Sequence, residues 1–165
     1  MKQTGYWWLA YEFRNLLFSC DACNSAKSDR FPLIEGATAL EPEQSPDEVE
    51  EHQMLVDPLR EDPGAHLTFV RTGGRYQLAP RSERGRVTIE VLGLRRDGLK
   101  DLYQQHVSET LAAVIRDYRR DKKRGDRNGV RRARDRAKRL CVREKRFSLL
   151  ALCCFLEQGV VTLPR

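Results

Sequence analysis

The residues best suited to chemistry lie in the first thirty positions, where two cysteines and two asparagines are closely spaced. Cys20 and Cys23 form a C-x-x-C pair, which can place two thiolates on one tetrahedral metal ion. Asn15 lies five residues before this pair and Asn24 directly after it, so two side-chain amides accompany the thiolates. The spacing predicts a metal-binding turn.

The predicted metal site is only half built. A structural zinc ion, Zn²⁺, takes four ligands, and this segment supplies two thiolates. The chain has no second C-x-x-C, and its other cysteines (Cys141, Cys153 and Cys154) follow far downstream in helical surroundings. Three alternatives stay open: a pair of buried reduced cysteines, a vestigial zinc knuckle, and a redox pair. The redox pair is disfavoured because the surrounding sequence does not resemble a thioredoxin-like unit.

Composition and charge favour a basic, cytoplasmic protein. The 165 residues are 40% hydrophobic and 33% charged, with a net charge of +6, and suit one domain with an appended helical part. The excess of positive charge favours a polyanionic partner such as nucleic acid. The five cysteines are an odd number, and no apolar stretch approaches the roughly 20 residues of a membrane-spanning helix. We therefore expect a reducing compartment, the cytoplasm.

The order of patterns along the chain predicts an α+β protein in two regions. Residues 1–99 hold the aromatic run around Trp7 and Trp8, the cysteine pair, an acidic loop at about 36–52 and a hairpin at 64–80 that turns at Gly73-Gly74. Adjacent tryptophans can stack on bases, but they are more typical of a core. Residues 100–165 form a helical, basic C-terminal region, whose last helix is predicted to span residues 130–158.

The C-terminal region concentrates positive charge. Between Arg116 and Arg146 there are sixteen lysines and arginines against five acids. On a helix, six of them surround nearly the whole circumference: Arg131, Arg132, Arg134, Arg136, Lys138 and Arg139. This pattern suits a phosphate backbone or an acidic partner. The alternative is a solvated helix with i,i+4 ion pairs such as Asp135 with Arg139.

The segment Tyr6–Leu33, which contains the aromatic run, both asparagines and the cysteine pair, resembles the HNH endonucleases found beside ATPases in bacterial anti-phage systems, including Septu-type and retron-associated ones. Looser matches extend the resemblance over about residues 6–99; they lie at Leu55–Pro58, Asp62–Leu67 and Thr88–Leu94. The basic C-terminal helices are not well covered by it.

This resemblance implies a partial ββα-metal (HNH) knuckle that hydrolyses phosphodiester bonds of DNA, with an ATPase subunit as a possible partner. Asn15 would orient the catalytic histidine. Asn24 would stand in place of the final histidine as a ligand of Mg²⁺ or Mn²⁺, which amide oxygens favour. Lys27 would meet phosphate, and Cys20 and Cys23 would be surviving ligands of the structural zinc.

One departure from the family concerns the catalytic histidine. Members carry a C-x-x-C and an Asp-His-x-x-Pro-Lys segment several residues before the Tyr-Trp-Trp run, whereas Met1–Gly5 contains neither aspartate nor histidine. Loss of a general base costs on the order of 10²–10⁴ in rate. We therefore expect the chain by itself to be inactive or nearly so. The alternative function is a non-catalytic module that binds nucleic acid or docks an ATPase.

Overall fold

The computed structural model describes residues 6–44 and 52–162, except for the side chain of Arg14. Within them the protein is α+β, with one two-stranded sheet and mostly helices. The chain forms two compact units. One comprises the chain up to His66 together with Ser82–Leu94, and the other comprises Leu67–Arg81 together with the chain from Arg95 onward. This division differs from a boundary at residue 99, because the hairpin packs with the C-terminal helices.

The first unit is built from short elements. Two 3₁₀ turns, Trp7–Leu9 and Phe13–Asn15, precede helix α1, and two further helices follow it. The helices are α1 (Asp21–Lys27), α2 (Pro63–His66) and α3 (Glu83–Val91). The hydroxyl of Ser82 accepts a hydrogen bond from the amide of Gly85 at 3.1 Å and so begins α3 as an N-cap. The buried apolar side chains of this unit are Leu9, Leu40, Leu55, Val56, Ile89 and Val91.

The predicted acidic loop begins and ends at a short pair of extended segments. Leu33 and Gln53 form an antiparallel bridge, and the amide of Ile34 donates to the carbonyl of His52 at 2.8 Å. This pairing closes the loop at its base. Residues 45–51, in the predicted loop at 36–52, lie outside the described part of the chain.

The predicted hairpin is confirmed. Strands β1 (Leu67–Thr72) and β2 (Arg75–Pro80) pair antiparallel, with Thr72 opposite Arg75. Gly73 and Gly74 connect them with φ angles of +59° and +80°, which only glycine adopts without strain at both positions of such a tight turn.

Helices complete the second unit. They are α4 (Asp97–His106), a π-helical turn (Val107–Leu111), α5 (Ala112–Arg124), α6 (Arg127–Leu140) and α7 (Ser148–Glu157). The predicted single helix over 130–158 is wrong, because the chain leaves the helix at Cys141 and Phe147 takes a left-handed φ of +55° before α7. Among the described residues, no helix has the length and apolar character needed to cross a membrane.

The turn between α5 and α6 depends on close packing at Gly129. Gly125 ends α5 in the left-handed conformation, and the carboxylate of Asp126 accepts the amide of Gly129 at 2.9 Å as the N-cap of α6. The carboxylate of Asp121 is buried beside the same glycine. A Cβ atom at residue 129 would collide with both carboxylates.

We therefore expect Gly129→Ala to lower the free energy of unfolding by about 1–3 kcal/mol, the usual cost of overpacking. The matched control is Gly98→Ala in α4, where an added Cβ meets nothing within 4 Å. That variant should keep or slightly raise stability, because alanine restricts the unfolded chain. Urea unfolding of the two variants checks the difference, and equal midpoints would contradict it.

Candidate functional site

The cysteine pair lies at the amino end of α1. Cys20 is the N-cap residue with an extended backbone, and its carbonyl accepts the amides of Cys23 at 3.0 Å and Asn24 at 2.9 Å. The side chain of Cys20 is exposed and that of Cys23 is half-buried, and both are reduced thiols. The turn therefore places two thiols near the start of one short helix.

The two asparagines play different parts in the structure. The side-chain amide of Asn15 donates to the carbonyl of Leu9 at 3.2 Å and ties the two 3₁₀ turns together. The side chain of Asn24 is exposed on α1, while its carbonyl accepts the amide of Ser28 at the end of the helix. Asn15 therefore holds the backbone that leads to the cysteines, and the Asn24 amide faces solvent.

An arginine that the sequence interpretation missed positions α1. The guanidinium of Arg30 donates to the carbonyl of Ala26, near the end of α1, and at 2.8 Å to the carbonyl of Val91, at the end of α3. A cation that binds the last carbonyls of two helices also interacts favourably with their dipoles. No feature of the sequence pointed to it, because its partner Val91 is 61 residues away in the chain.

Lys27 lies beside aromatic rings. Its ammonium is 5.9 Å from the centroid of the Phe31 ring, which packs edge-on against Tyr6 at 5.4 Å. The indole of Trp8 donates to the carbonyl of Gln44 at 3.0 Å and is half-buried. Trp7 is 69% exposed, so the core prediction holds in part for Trp8 and is wrong for Trp7.

A row of exposed apolar side chains accompanies the cysteine pair. They belong to the segment before α1 and are Tyr11, Phe13, Leu16, Leu17 and Phe18. Phe18 lies two residues before Cys20 and is fully exposed. The segment that leads to the thiols therefore carries a large apolar surface.

The described residues fit the implied metals only in part. Cys20 and Cys23 would be two of the four ligands of a structural zinc, and Asn24 would offer one hard oxygen to Mg²⁺ or Mn²⁺. Within residues 6–44 and 52–162, no group of three or more histidine, cysteine, aspartate or glutamate side chains could hold a metal ion. Further ligands for either metal would have to come from outside these residues.

A carboxylate–guanidinium pair holds the segment before α2 to α3. Both oxygens of Glu61 accept from the guanidinium of Arg84, at 2.7 and 2.8 Å, and Arg84 also donates to the carbonyl of Leu55 at 2.9 Å. His66 bridges the pair to the helix cap, with its Nε2 2.9 Å from Glu61 and its Nδ1 2.7 Å from the Ser82 hydroxyl. His66 thus has a structural role.

The ion pair between Glu61 and Arg84 makes the free energy of unfolding depend on pH. Burial raises the pKa of Glu61, but the hydrogen bonds from Arg84 and Asp57 and the charges of Arg84 and His66 hold it below its ordinary value. The pKa of Glu61 is lower in the folded than in the unfolded state, so Glu61 contributes fully to the free energy of unfolding above its unfolded-state pKa of about 4.3. That contribution is lost as the pH falls through the folded-state pKa.

We expect Glu61→Gln to lower the free energy of unfolding at pH 7 by about 1–3 kcal/mol, since Arg84 loses its anionic partner. The loss of stability below about pH 4.3 should be shallower in this variant than in the wild type. The control is Glu90→Gln, an exposed partner of Arg86, which should change little. Thermal unfolding between pH 3 and 7 measures both, and parallel pH profiles for wild type and Glu61→Gln would contradict the expectation.

The basic helix α6 is amphipathic, which corrects the prediction of charge around its whole circumference. Gly129, Ala133 and Ala137 are buried in the contact with α5. The predicted basic side chains all lie on the exposed faces: Arg131, Arg132, Arg134, Arg136, Lys138 and Arg139. Small residues at the contact let the two helices pack closely, while the rest of α6 stays charged.

Half of these basic side chains are engaged within the unit. Arg136 pairs with Asp117 at 2.8 Å, Arg132 lies 3.6 Å from Asp126, and the guanidinium of Arg134 stacks 5.7 Å from the Tyr118 ring. The predicted pair of Asp135 with Arg139 is absent among the described residues. The side chains without an ion-pair partner in that part of the chain are Arg131, Lys138 and Arg139. These three charges are available to a polyanion.

Two curated proteins of Bacillus mycoides (strain KBAB4) are similar to this chain. The Septu protein PtuA is 36% identical over 104 residues, which are 63% of this chain and 14% of the relative. The Septu protein PtuB is 39% identical over 100 residues, 59% of this chain and 32% of the relative. The chain is similar to Septu proteins. It spans less than a third of the length of either, no family model matches it, and no solved structure matches it.

Proposed function

We propose that this chain is part of an HNH-type DNA endonuclease in a Septu-type phage-defence system. The observation that carries the proposal is similarity to both Septu proteins, at 36% and 39% identity, in a chain whose opening segment has the family's asparagine and cysteine pattern. The turn at α1 supports it, because it presents two thiols and the exposed Asn24 amide within five residues.

In the proposed site each residue has a defined task. Cys20 and Cys23 would hold zinc, and Asn24 would take part in binding Mg²⁺ or Mn²⁺, which neutralises charge on the reacting phosphate. Asn15 fixes the backbone before the cysteines, and Arg30 fixes the end of α1. Both are positioning residues, since they hold the segment around the cysteine pair in place and take no direct part in the proposed reaction.

The test compares plasmid cleavage by two proteins. One is the chain as given, and the other carries an added N-terminal segment with a C-x-x-C and an Asp-His-x-x-Pro-Lys sequence. With Mn²⁺, the extended protein should nick supercoiled plasmid at least about 10²-fold faster, because it gains a general base. Failure of an extended protein that binds one zinc ion per chain to cut DNA would overturn the proposal.

A second candidate function is a non-catalytic module that binds DNA through α6 or docks an ATPase subunit. The observation that favours it is the set of three unpaired cations on the exposed face of α6 (Arg131, Lys138 and Arg139). DNA binding by the extended protein that weakens steeply with salt, without any cleavage, would support this module.

A further inference from the structure

A small cavity lies where α4 continues into the π-helical turn. Its volume is about 160 Å³, and its lining combines apolar and polar side chains: Leu102, Gln105, His106, Glu109, Thr110, Arg146 and Phe147. This is room for several water molecules or one small ligand. All of these residues belong to the second unit.

The backbone around the cavity departs from regular structure at two points. The helix widens into five π-helical residues at Val107–Leu111, and Phe147 opposite it has a left-handed φ of +55°. A phenylalanine in this conformation carries backbone strain. The ring of Phe147 is held by edge-on contacts with Tyr103 and His106, each at 5.3 Å. Both π-helical turns and retained backbone strain occur often at ligand sites.

One polar atom at the cavity lacks a partner. The Nε2 atom of His106 is buried and has no hydrogen bond within the described chain. A buried polar group without a partner is unfavourable, so the imidazole of His106 lacks a hydrogen bond that it would make with water in the unfolded chain. Burial and the charge of Arg146 hold the pKa of His106 below its ordinary value, which keeps the imidazole neutral at pH 7.

The charged groups at the cavity are of both signs. The guanidinium of Arg146 stacks 4.7 Å from the Phe147 ring and has no ion-pair partner in the described residues, so its hydrogen-bond donors are available. Glu109 accepts from the Gln105 amide through one oxygen at 3.0 Å, which leaves its second oxygen. A carboxylate only accepts hydrogen bonds and a guanidinium only donates them. A simple anion would therefore bind favourably only to Arg146, and a simple cation only to Glu109.

The ligand that complements such a lining carries N–H donors on one edge and acceptors on another. Guanine has adjacent N–H groups at N1 and N2 for a carboxylate, and O6 and N7 acceptors that suit a guanidinium. Adenine has no N–H pair of this kind. We propose that this cavity binds a guanine base, with Glu109 accepting from its N–H edge and Arg146 donating to its acceptor edge.

The experiment is a titration of the full chain with guanosine monophosphate, followed by the NMR resonances of the His106 ring and by calorimetry. Adenosine monophosphate and inorganic phosphate are the comparison probes. Guanosine monophosphate should bind at least tenfold more tightly than either and should shift the His106 signals. A single-stranded oligonucleotide with one guanine, against the same strand with adenine, shows whether the base is also bound within a nucleic acid.

Variants test the assigned contacts. Glu109→Gln and Arg146→Gln should each weaken guanosine monophosphate binding at least tenfold, whereas Glu144→Gln and Lys145→Gln remove the same charges from exposed neighbouring positions and should leave it unchanged. Equal binding of inorganic phosphate or adenosine monophosphate would overturn the proposal, and so would an unshifted His106 at millimolar guanosine monophosphate.

Discussion

In the extended protein that carries the Asp-His segment, Asn24→Ala is expected to lower the rate of Mn²⁺-dependent plasmid cleavage by about 10²-fold or more. The proposed ligand is an exposed side-chain amide on α1, so its removal should take a metal ligand away without disturbing the core. Initial rates of nicking at a Mn²⁺ concentration that just saturates the extended protein without the substitution measure the effect. Raising the Mn²⁺ concentration should recover part of the rate, since weaker metal binding is the cause.

The matched control is Asn128→Ala, which removes an exposed amide near the start of α6. This variant should cleave at the wild-type rate. Asn15→Ala should lower thermal stability as well as activity, because the side-chain amide of Asn15 donates a hydrogen bond to the carbonyl of Leu9 that stabilises the backbone. Wild-type cleavage by an Asn24→Ala protein would remove this residue from the proposed site.

The second large effect is expected on DNA binding. The triple substitution of Arg131, Lys138 and Arg139 by glutamine should lower the slope of log affinity against log salt by about three, since each phosphate contact contributes about 0.9. At 0.1 M salt the affinity for a DNA duplex should fall at least about tenfold and by up to a few hundredfold. The loss should be similar for unrelated sequences, because phosphate contacts carry no sequence information.

The control removes three charges elsewhere. Arg60, Arg86 and Lys100 are already paired with acids, at 3.5, 2.7 and 2.9 Å. Their joint substitution by glutamine lowers the net charge by the same three units and should change the salt slope by less than one. Fluorescence anisotropy from 50 to 300 mM salt measures both proteins. If the two triple variants lost affinity equally, DNA binding would follow net charge alone and the α6 surface would have no special role.

The sequence predicted local features well where one residue type controls the backbone. The Gly73-Gly74 turn was predicted because only glycine tolerates two successive left-handed residues. The single helix over 130–158 was wrong because its break depends on the left-handed Phe147, a residue whose ordinary preference gives no sign of it.

The structural features that could not be predicted from the sequence depend on contacts between residues that are far apart in the chain. Arg30 reaches Val91 across 61 residues, and Glu61 binds Arg84 across 23, so neither partner could be chosen from spacing. The positive charge was predicted to extend too far around α6, because the buried face of this helix is formed by alanine and glycine, which a pattern of large hydrophobic residues does not detect. The HNH site stays a prediction, since its remaining ligands do not lie among the described residues.

The binding of a divalent metal by Asn24 can be tested directly by locating the bound metal. Mn²⁺ added in small amounts to the ¹⁵N-labelled extended protein broadens the NMR signals of amides near its binding site. If Asn24 is a metal ligand, its side-chain signal and the α1 backbone signals should broaden first, at metal concentrations that leave the Asn128 side-chain signal sharp. Early broadening confined to the acidic residues around Glu41 and Glu43, with Asn24 unaffected, would contradict it.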